Sequence, residues 1–175
     1  QHLNDHWDLD HPFERLLVDT AVSPSPSAVS WINPRLRPGE RRKVVTGIPG
    51  KTGVVYTLDR ETGEFLWATP TVGQNVISSI DGATGAVTAN SEVVFSATGQ
   101  SVTTCPTWYG GKNWEAGAYS PQTNAMYFPL RNTCSQVMAV PEEENPVIAL
   151  TMREEIAPGT DQLGTVQAIS VETGE

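Results

Sequence analysis

The chain has 175 residues, 38% of them apolar, which is enough to bury one ordinary core, and no apolar run approaches the roughly 20 residues of a membrane-spanning helix. Its formal charge is −9 and its acidic residues are scattered through the sequence, which argues against nucleic acid as a partner. With 15 glycines, 13 prolines and no long aliphatic pattern at 3.6 spacing, the composition excludes a helical bundle and predicts an all-β protein of short strands and turns.

Gln1 opens the chain without an initiator methionine or a secretory leader, so the expectation is a beginning that has been processed or cut away. The predicted strands, in chain order, start with RLLVD (15–19), followed by a loop from Ser23 to Pro38 with four prolines and four serines. KVVTG (43–47), VVYTL, EFLWA, NVISSI, AVTAN and VVFSA (93–97) come next, then GAYS, AMYFPL, VIALTM (147–152) and TVQAIS. An acidic turn, Glu142 to Glu144, is expected to be solvated. Four turn tetrads punctuate these strands: Asp59-Thr62-Gly63, Asp81-Thr84-Gly85, Thr123-Asn124 and Thr173-Gly174. Their steps of 22, 39 and 50 residues are too irregular for a tight solenoid but suit four-stranded propeller blades with insertions, or else unrelated hairpins.

Three clusters carry chemistry-bearing side chains. The first, Asn4-Asp5-His6-Trp7-Asp8-Leu9-Asp10-His11, packs three carboxylates, two imidazoles and an indole into eight residues. In an extended segment Asp8 and Asp10 share a side and could offer oxygens to one hard cation or one substrate, or the stretch could be an Asx-rich turn anchored by Trp7. His6 and His11 are five apart, which fits no zinc spacing, and are expected on the surface. The second cluster, Pro49-Gly50-Lys51-Thr52-Gly53, is not a phosphate-binding loop, because its glycine spacing is wrong and a strand follows it. A lysine between glycines at a strand start can instead donate to an oxygen where backbone approaches closely. The third, Gly110-Gly111-Lys112-Asn113-Trp114, delivers an amide and an indole, the latter either to a pocket or to a sheet core. Cys105 and Cys134 lack zinc spacing and read as one disulfide or as two buried thiols. No Ser-His-Asp order, HExxH, GxSxG or GxGxxG motif occurs.

NDHWDLD, GKTGVVYTLDRETGEFLW, GGKNW with AYSPQTNAMYFP, and the closing AISVETGE together resemble the quinoprotein alcohol dehydrogenases, eight-bladed propellers that hold pyrroloquinoline quinone (PQQ) and a metal ion on their axis. The resemblance implies that residues 1–175 are a fragment of a single β-propeller domain, about three blades truncated at both ends, with Trp67 docking on the next blade. It implies a PQQ- and metal-dependent oxidation of a primary alcohol to an aldehyde. Asp8 would be the base, Lys51 would donate to the quinone oxygens, and Asn113 and Trp114 would stand at the cofactor rim. The family's other metal ligands and its adjacent-cysteine disulfide belong to blades outside this sequence, so the fragment is expected to be inactive alone. Family members have a bridge at the positions of Cys105 and Cys134 and work in the periplasm, where such a bond persists. The implied partners are a small alcohol and a c-type cytochrome or other electron acceptor, with no nucleic acid and no membrane span.

Two departures narrow the reading. Methanol dehydrogenases of the family have arginine where Lys51 stands, which points away from a strict methanol enzyme. Calcium-dependent members have a small residue where Asp10 stands, whereas lanthanide-dependent members resemble this chain in having an aspartate. Asp8 and Asp10 are therefore expected as metal ligands, for calcium or a lanthanide ion with the lanthanide favoured, unless Asp10 turns outward to cap the His11-Pro12 turn. The alternatives are a non-catalytic propeller scaffold with the same turns, or a quinoprotein that oxidises a sugar or polymer alcohol.

Overall fold

The computed structural model describes residues 5–147 and 149–175. Thirteen strands make up its regular structure among the described residues, together with one 3-10 turn at Ser91–Val93 and no α-helix. The first five strands are β1 (Leu16–Val22), β2 (Trp31–Ile32), β3 (Glu40–Gly47), β4 (Val54–Asp59) and β5 (Phe65–Pro70). They form one antiparallel sheet in the order β1-β3-β4-β5-β2. β6 (Ile77–Ile80) and β7 (Val87–Ala89) make a hairpin. β8 (Ser101–Thr104), β11 (Thr133–Ala139) and β12 (Leu150–Ile156) form a sheet in the order β12-β11-β8. β9 (Ala118–Ser120), β10 (Ala125–Arg131) and β13 (Gly164–Ser170) form another, in the order β13-β10-β9.

The turn chemistry read from the sequence builds these hairpins. Asp59 Oδ1 accepts from the amides of Glu61 and Thr62, and Gly63 turns the chain at φ +77°, a left-handed conformation that favours glycine. Asp81 Oδ1 does the same for Thr84, accepting from both its amide and its hydroxyl.

Apolar periodicity then stacks the sheets. Val18, Val22, Val44, Val55, Leu66 and Trp67 from the five-stranded sheet share a core with Met126, Phe128, Leu130 and Ile169 from β10 and β13. The opposite face, through Val54, Phe65 and Ala68, packs on Ile77 and Ile80 of the β6–β7 hairpin. The five-stranded sheet is thus a middle layer buried on both faces, which is why β5 reads FLWATP without polar alternation. Trp67 is fully buried, and its ring lies 3.5 Å from where a Cβ on Gly174 would stand, so it docks on the final turn tetrad.

Several expectations need correction. VVFSA is not a strand: Val93 closes the 3-10 turn, and its carbonyl accepts from Trp7 Nε1 at 2.9 Å. The Ser23–Pro38 loop contains the two-residue β2, and the strand expected over 147–152 runs instead over Leu150–Ile156, residue 148 lying outside the described set. β8 and β11 were not anticipated, and the sheets contain five, three, three and two strands rather than four each. His6 is not a free surface residue, since its Nδ1 accepts from the Phe95 amide at 3.2 Å and its ring stacks on Phe95. Cys105 and Cys134 form a disulfide, which fixes the end of β8 to β11.

Candidate active site

Before β1 burial alternates along the chain: Trp7 and Leu9 are buried while Asp8 and Asp10 are exposed. Trp7 and Leu9 anchor it against Val76 and Val93. Asp5 accepts from the amides of Trp7 and Leu9, so that carboxylate is committed to shaping the backbone. Asn4, part of the same sequence cluster, lies outside the described residues. Asp8 has φ +60°, unusual for a residue with a side chain and of the kind that persists only where surroundings hold it.

Lys51 holds it. Its ammonium donates to the Asp8 carbonyl oxygen at 2.7 Å and to Asp8 Oδ2 at 2.8 Å, and it is 3.0 Å from Asp10 Oδ2. The lysine side chain is 10% exposed, whereas those of Asp8 and Asp10 are 47% and 57% exposed. Burial opposes the charge on Lys51, but hydrogen bonds and attraction from the two aspartates outweigh it and raise its pKa above the ordinary lysine value. Asp10 therefore faces the same cation as Asp8.

The glycines around Lys51 serve contacts between segments of the chain. A Cβ on Gly50 would strike the Asp10 carbonyl oxygen at 2.7 Å, and one on Gly110 would strike the Lys51 Cβ at 2.7 Å. Backbone hydrogen bonds complete the join, from the Lys51 amide to Asp10 O at 2.9 Å and from the Gly111 amide to Lys51 O at 2.7 Å. Residues 8–14, 49–53 and 110–117 thus meet at one place despite their separation in sequence.

Asp8 opens on a cleft of about 1070 Å³ lined also by His6, Trp108, Leu150 and Met152. Asn113 opens instead on a smaller cavity of about 290 Å³ shared with Tyr109, Lys112 and Arg131. The Asn113 amide donates to the Tyr109 carbonyl at 2.6 Å, and its Oδ1 accepts from the Trp114 amide. Trp114 is 77% exposed, so it does not pack between sheets. The structure therefore joins Asp8, Asp10 and Lys51 directly, and brings the GGKNW loop to them through its glycines rather than through Asn113 and Trp114. Among the described residues no group of three or more His, Cys, Asp or Glu is arranged to hold a metal ion.

Two participants were missed in the sequence. Trp108, tilted at 51° against Tyr109 with ring centroids 4.5 Å apart, walls the Asp8 cleft, and the adjacent aromatic pair before a double glycine is its only signal in the sequence. Lys112, within GGKNW, has nothing in its sequence context to mark it, yet its side chain is wholly buried.

No family model matches the chain. Among curated proteins it is 35% identical over 127 residues to the dehydrogenase subunit of an alcohol dehydrogenase (quinone) from Gluconacetobacter polyoxogenes, covering 73% of this chain and 15% of that protein. It is 29% identical over 140 residues to the putative dehydrogenase XoxF of Paracoccus denitrificans, covering 75% and 21%. It is 30% identical over 133 residues to a lanthanide-dependent methanol dehydrogenase of Methylacidiphilum fumariolicum, covering 74% and 19%. In three dimensions it superposes on a europium-containing methanol dehydrogenase with a TM-score of 0.76 at 23% identity, covering 98% of this chain and 28% of that one. The corresponding values for the quinohemoprotein alcohol dehydrogenase of Comamonas testosteroni are 0.70, 21%, 94% and 23%. The chain thus spans well under a third of the proteins it matches. All-β, with its sheets stacked like the blades of their propellers, and alike in sequence to several quinone-dependent alcohol dehydrogenases, the chain belongs over the part it spans to the quinoprotein (PQQ-dependent) alcohol dehydrogenase family.

Proposed function

We propose that this chain supplies part of the active site of a PQQ- and metal-dependent dehydrogenase that oxidises a primary alcohol to an aldehyde, within a single propeller domain. The observation that carries the reading is the bridging of Asp8 and Asp10 by Lys51, with Asp8 also lining a cleft. The donor chemistry fits the groups such an enzyme needs. Two half-exposed carboxylates that face the same ammonium suit a hard cation, calcium or a lanthanide, with the remaining ligands coming from elsewhere in the longer protein. The Lys51 ammonium, whose three N–H groups now point to Asp8 and Asp10, would turn one of them to an oxygen of an anionic quinone.

PQQ, held by Lys51, Asn113 and Trp114, would supply a hydride acceptor, and a cation held by Asp8 and Asp10 would supply Lewis-acid polarisation. The chain's own residues do the rest. Asp8 Oδ2 is held by Lys51, which leaves Oδ1 to accept the hydroxyl proton as the carbon–oxygen double bond forms. Lys51 fixes the strained backbone of Asp8 and keeps its carboxylate oriented. Asp10 would share the cation with Asp8; Asn113 and Trp114, on the separate GGKNW loop, would meet the cofactor only at its rim, and Trp108, Leu150 and Met152 line the cleft beside Asp8. The two electrons removed from the alcohol would then pass to a c-type cytochrome or another acceptor, and the bridged cysteines suit a periplasmic setting.

The test is the full-length protein assayed with PQQ, with calcium or a light lanthanide, and with a dye acceptor over a panel of primary alcohols. Asp8→Asn should lower kcat by at least 100-fold while PQQ remains bound. Retention of activity in that variant, or oxidation of sugars or polymer alcohols in preference to primary alcohols, overturns the assignment.

A further inference from the structure

Lys112 is a lysine with a fully buried side chain, and no part of the reaction above uses it. Its ammonium has two polar partners: Glu14 Oε2 at 3.1 Å and the carbonyl oxygen of Asn113 at 2.8 Å. It also lies 4.5 Å from the centre of the Phe13 ring and 6.0 Å from that of Phe128. Glu14 is used on both oxygens, since Oε1 accepts from the Gly117 amide at 2.8 Å. Burial opposes charge on this carboxylate, but the bonds from Gly117 and Lys112 outweigh it and lower its pKa below the ordinary glutamate value.

We propose that Glu14 and Lys112 are positioning residues: together they clasp the glycine loop 110–117 to the segment carrying Asp8 and Asp10, and so set the cofactor-binding geometry. The topology gives the reason. Residues 8–14 are joined to 49–53 by the Lys51 and Phe13 amides, and 49–53 to 110–117 by the Gly111 amide. The Glu14–Lys112 pair closes the third side of this triangle. Lys112 also holds the Asn113 carbonyl inward, which turns the Asn113 amide toward Tyr109 and leaves the Trp114 indole facing outward. A charged group buried this deeply is costly unless paired, and a purely structural contact could be made by an apolar residue. The pair therefore contributes specificity of position, which a methionine of similar length would not provide.

The proposal rests on the PQQ reading for its ligand, but its test does not depend on that reading alone. The full-length protein is prepared with Lys112→Met, which keeps the stem against Phe13 and Phe128, with Glu14→Gln, and with both changes. PQQ affinity is measured by fluorescence titration in the presence of the metal, and amide exchange is measured by mass spectrometry over residues 110–117. Each single variant should weaken PQQ binding about fivefold or more and speed exchange of that segment by a similar factor, with an unchanged melting profile elsewhere. The double variant should be no worse than the poorer single one, because the two residues act as one unit. PQQ affinity within twofold of wild type in folded single variants overturns the proposal, as does unchanged exchange. If the wild-type protein binds no PQQ, the proposed function fails and the exchange data alone decide the clasp: faster exchange in the variants supports it and unchanged exchange overturns it. Should Lys112→Met not fold, Glu14→Gln decides the matter by the same two measurements.

Discussion

Replacing Lys51 with methionine removes three bonds at once while keeping the side chain's length. The ammonium sits 2.7 Å from the Asp8 carbonyl, 2.8 Å from Asp8 Oδ2 and 3.0 Å from Asp10 Oδ2. Bonds to charged groups contribute roughly 1.5–3 kcal/mol when shielded from water. Both carboxylates are about half exposed, so each ion pair is discounted to about 0.2–1 kcal/mol, and the carbonyl bond from the buried ammonium adds about 1.5 kcal/mol. The total is about 2–3.5 kcal/mol, which is a roughly 30- to 300-fold rise in local opening, since 1.4 kcal/mol is a factor of ten. Opening exposes the Lys51 and Phe13 amides, which bond to Asp10 and Pro49 across the two segments. Hydrogen exchange of peptides covering residues 9–14 and 50–53 in the full-length protein reads it directly. Because the folded lysine's pKa is raised, its contribution is fully present below the unfolded value of about 10.4 and is lost as pH rises through the higher folded value. Wild-type protection, corrected for intrinsic rates, should thus hold up to about pH 10 and fall above it, with no such alkaline loss in the variant. Less than a threefold change in exchange on Lys51→Met would refute the argument that this lysine holds the site.

Trp67→Ala should cost about 3–5 kcal/mol because it empties a fully buried indole site between two sheets, whereas Trp67→Phe should cost clearly less, since the indole N–H is buried without a partner; melting temperatures of the two variants give the ranking, and equal losses would contradict it. Serine at both Cys105 and Cys134 removes a crosslink across 29 residues and should lower stability by about 3–4 kcal/mol, read as a drop in denaturation midpoint that reductant reproduces in the wild type. Asp59 is buried; burial raises its pKa, but bonds from Thr62, Glu61 and Arg42 lower it further, so its contribution is present above about pH 4 and lost as pH falls through the depressed value. An Asp59→Asn variant should accordingly lose stability at neutral pH and show a shallower acid limb in a melting series from pH 7 to pH 2, and parallel limbs would rule this out.

Much of the hairpin architecture was legible because turn chemistry is local. Asp59, Thr62 and Gly63 form their bonds within five residues, so the sequence contains all the information that the turn needs. The convergence of Asp8, Asp10 and Lys51 was partly legible, since period-two alternation places the two carboxylates together, but the partner 43 residues away came from the family resemblance. The misses share a physical cause. β11 buries Thr133, Cys134 and Ser135 in succession and β12 carries Arg153, Glu154 and Glu155, so neither shows the apolar alternation that marks a strand. VVFSA has strand-like composition, yet long-range contacts from Trp7 and His6 claim its backbone and no strand forms. Lys112 gave no signal at all, because a buried lysine is recognisable only from its partner 98 residues earlier.

The docking of Trp67 on the last turn means that repeats identical in spelling are not equivalent under mutation. At Gly63, no described residue stands within 4 Å of where a Cβ would go, so asparagine or aspartate, which tolerate left-handed backbone, can replace it at little cost. At Gly174, a Cβ would come within 2.4 Å of a Val29 methyl and abut the indole, so no larger residue fits without moving the Val29 side chain in the loop before β2. Successive copies of the motif are therefore free to drift apart wherever no aromatic ring rests on them. A comparison of variants at these two glycines separates the share of the repeat set by chain reversal from the share set by its neighbour.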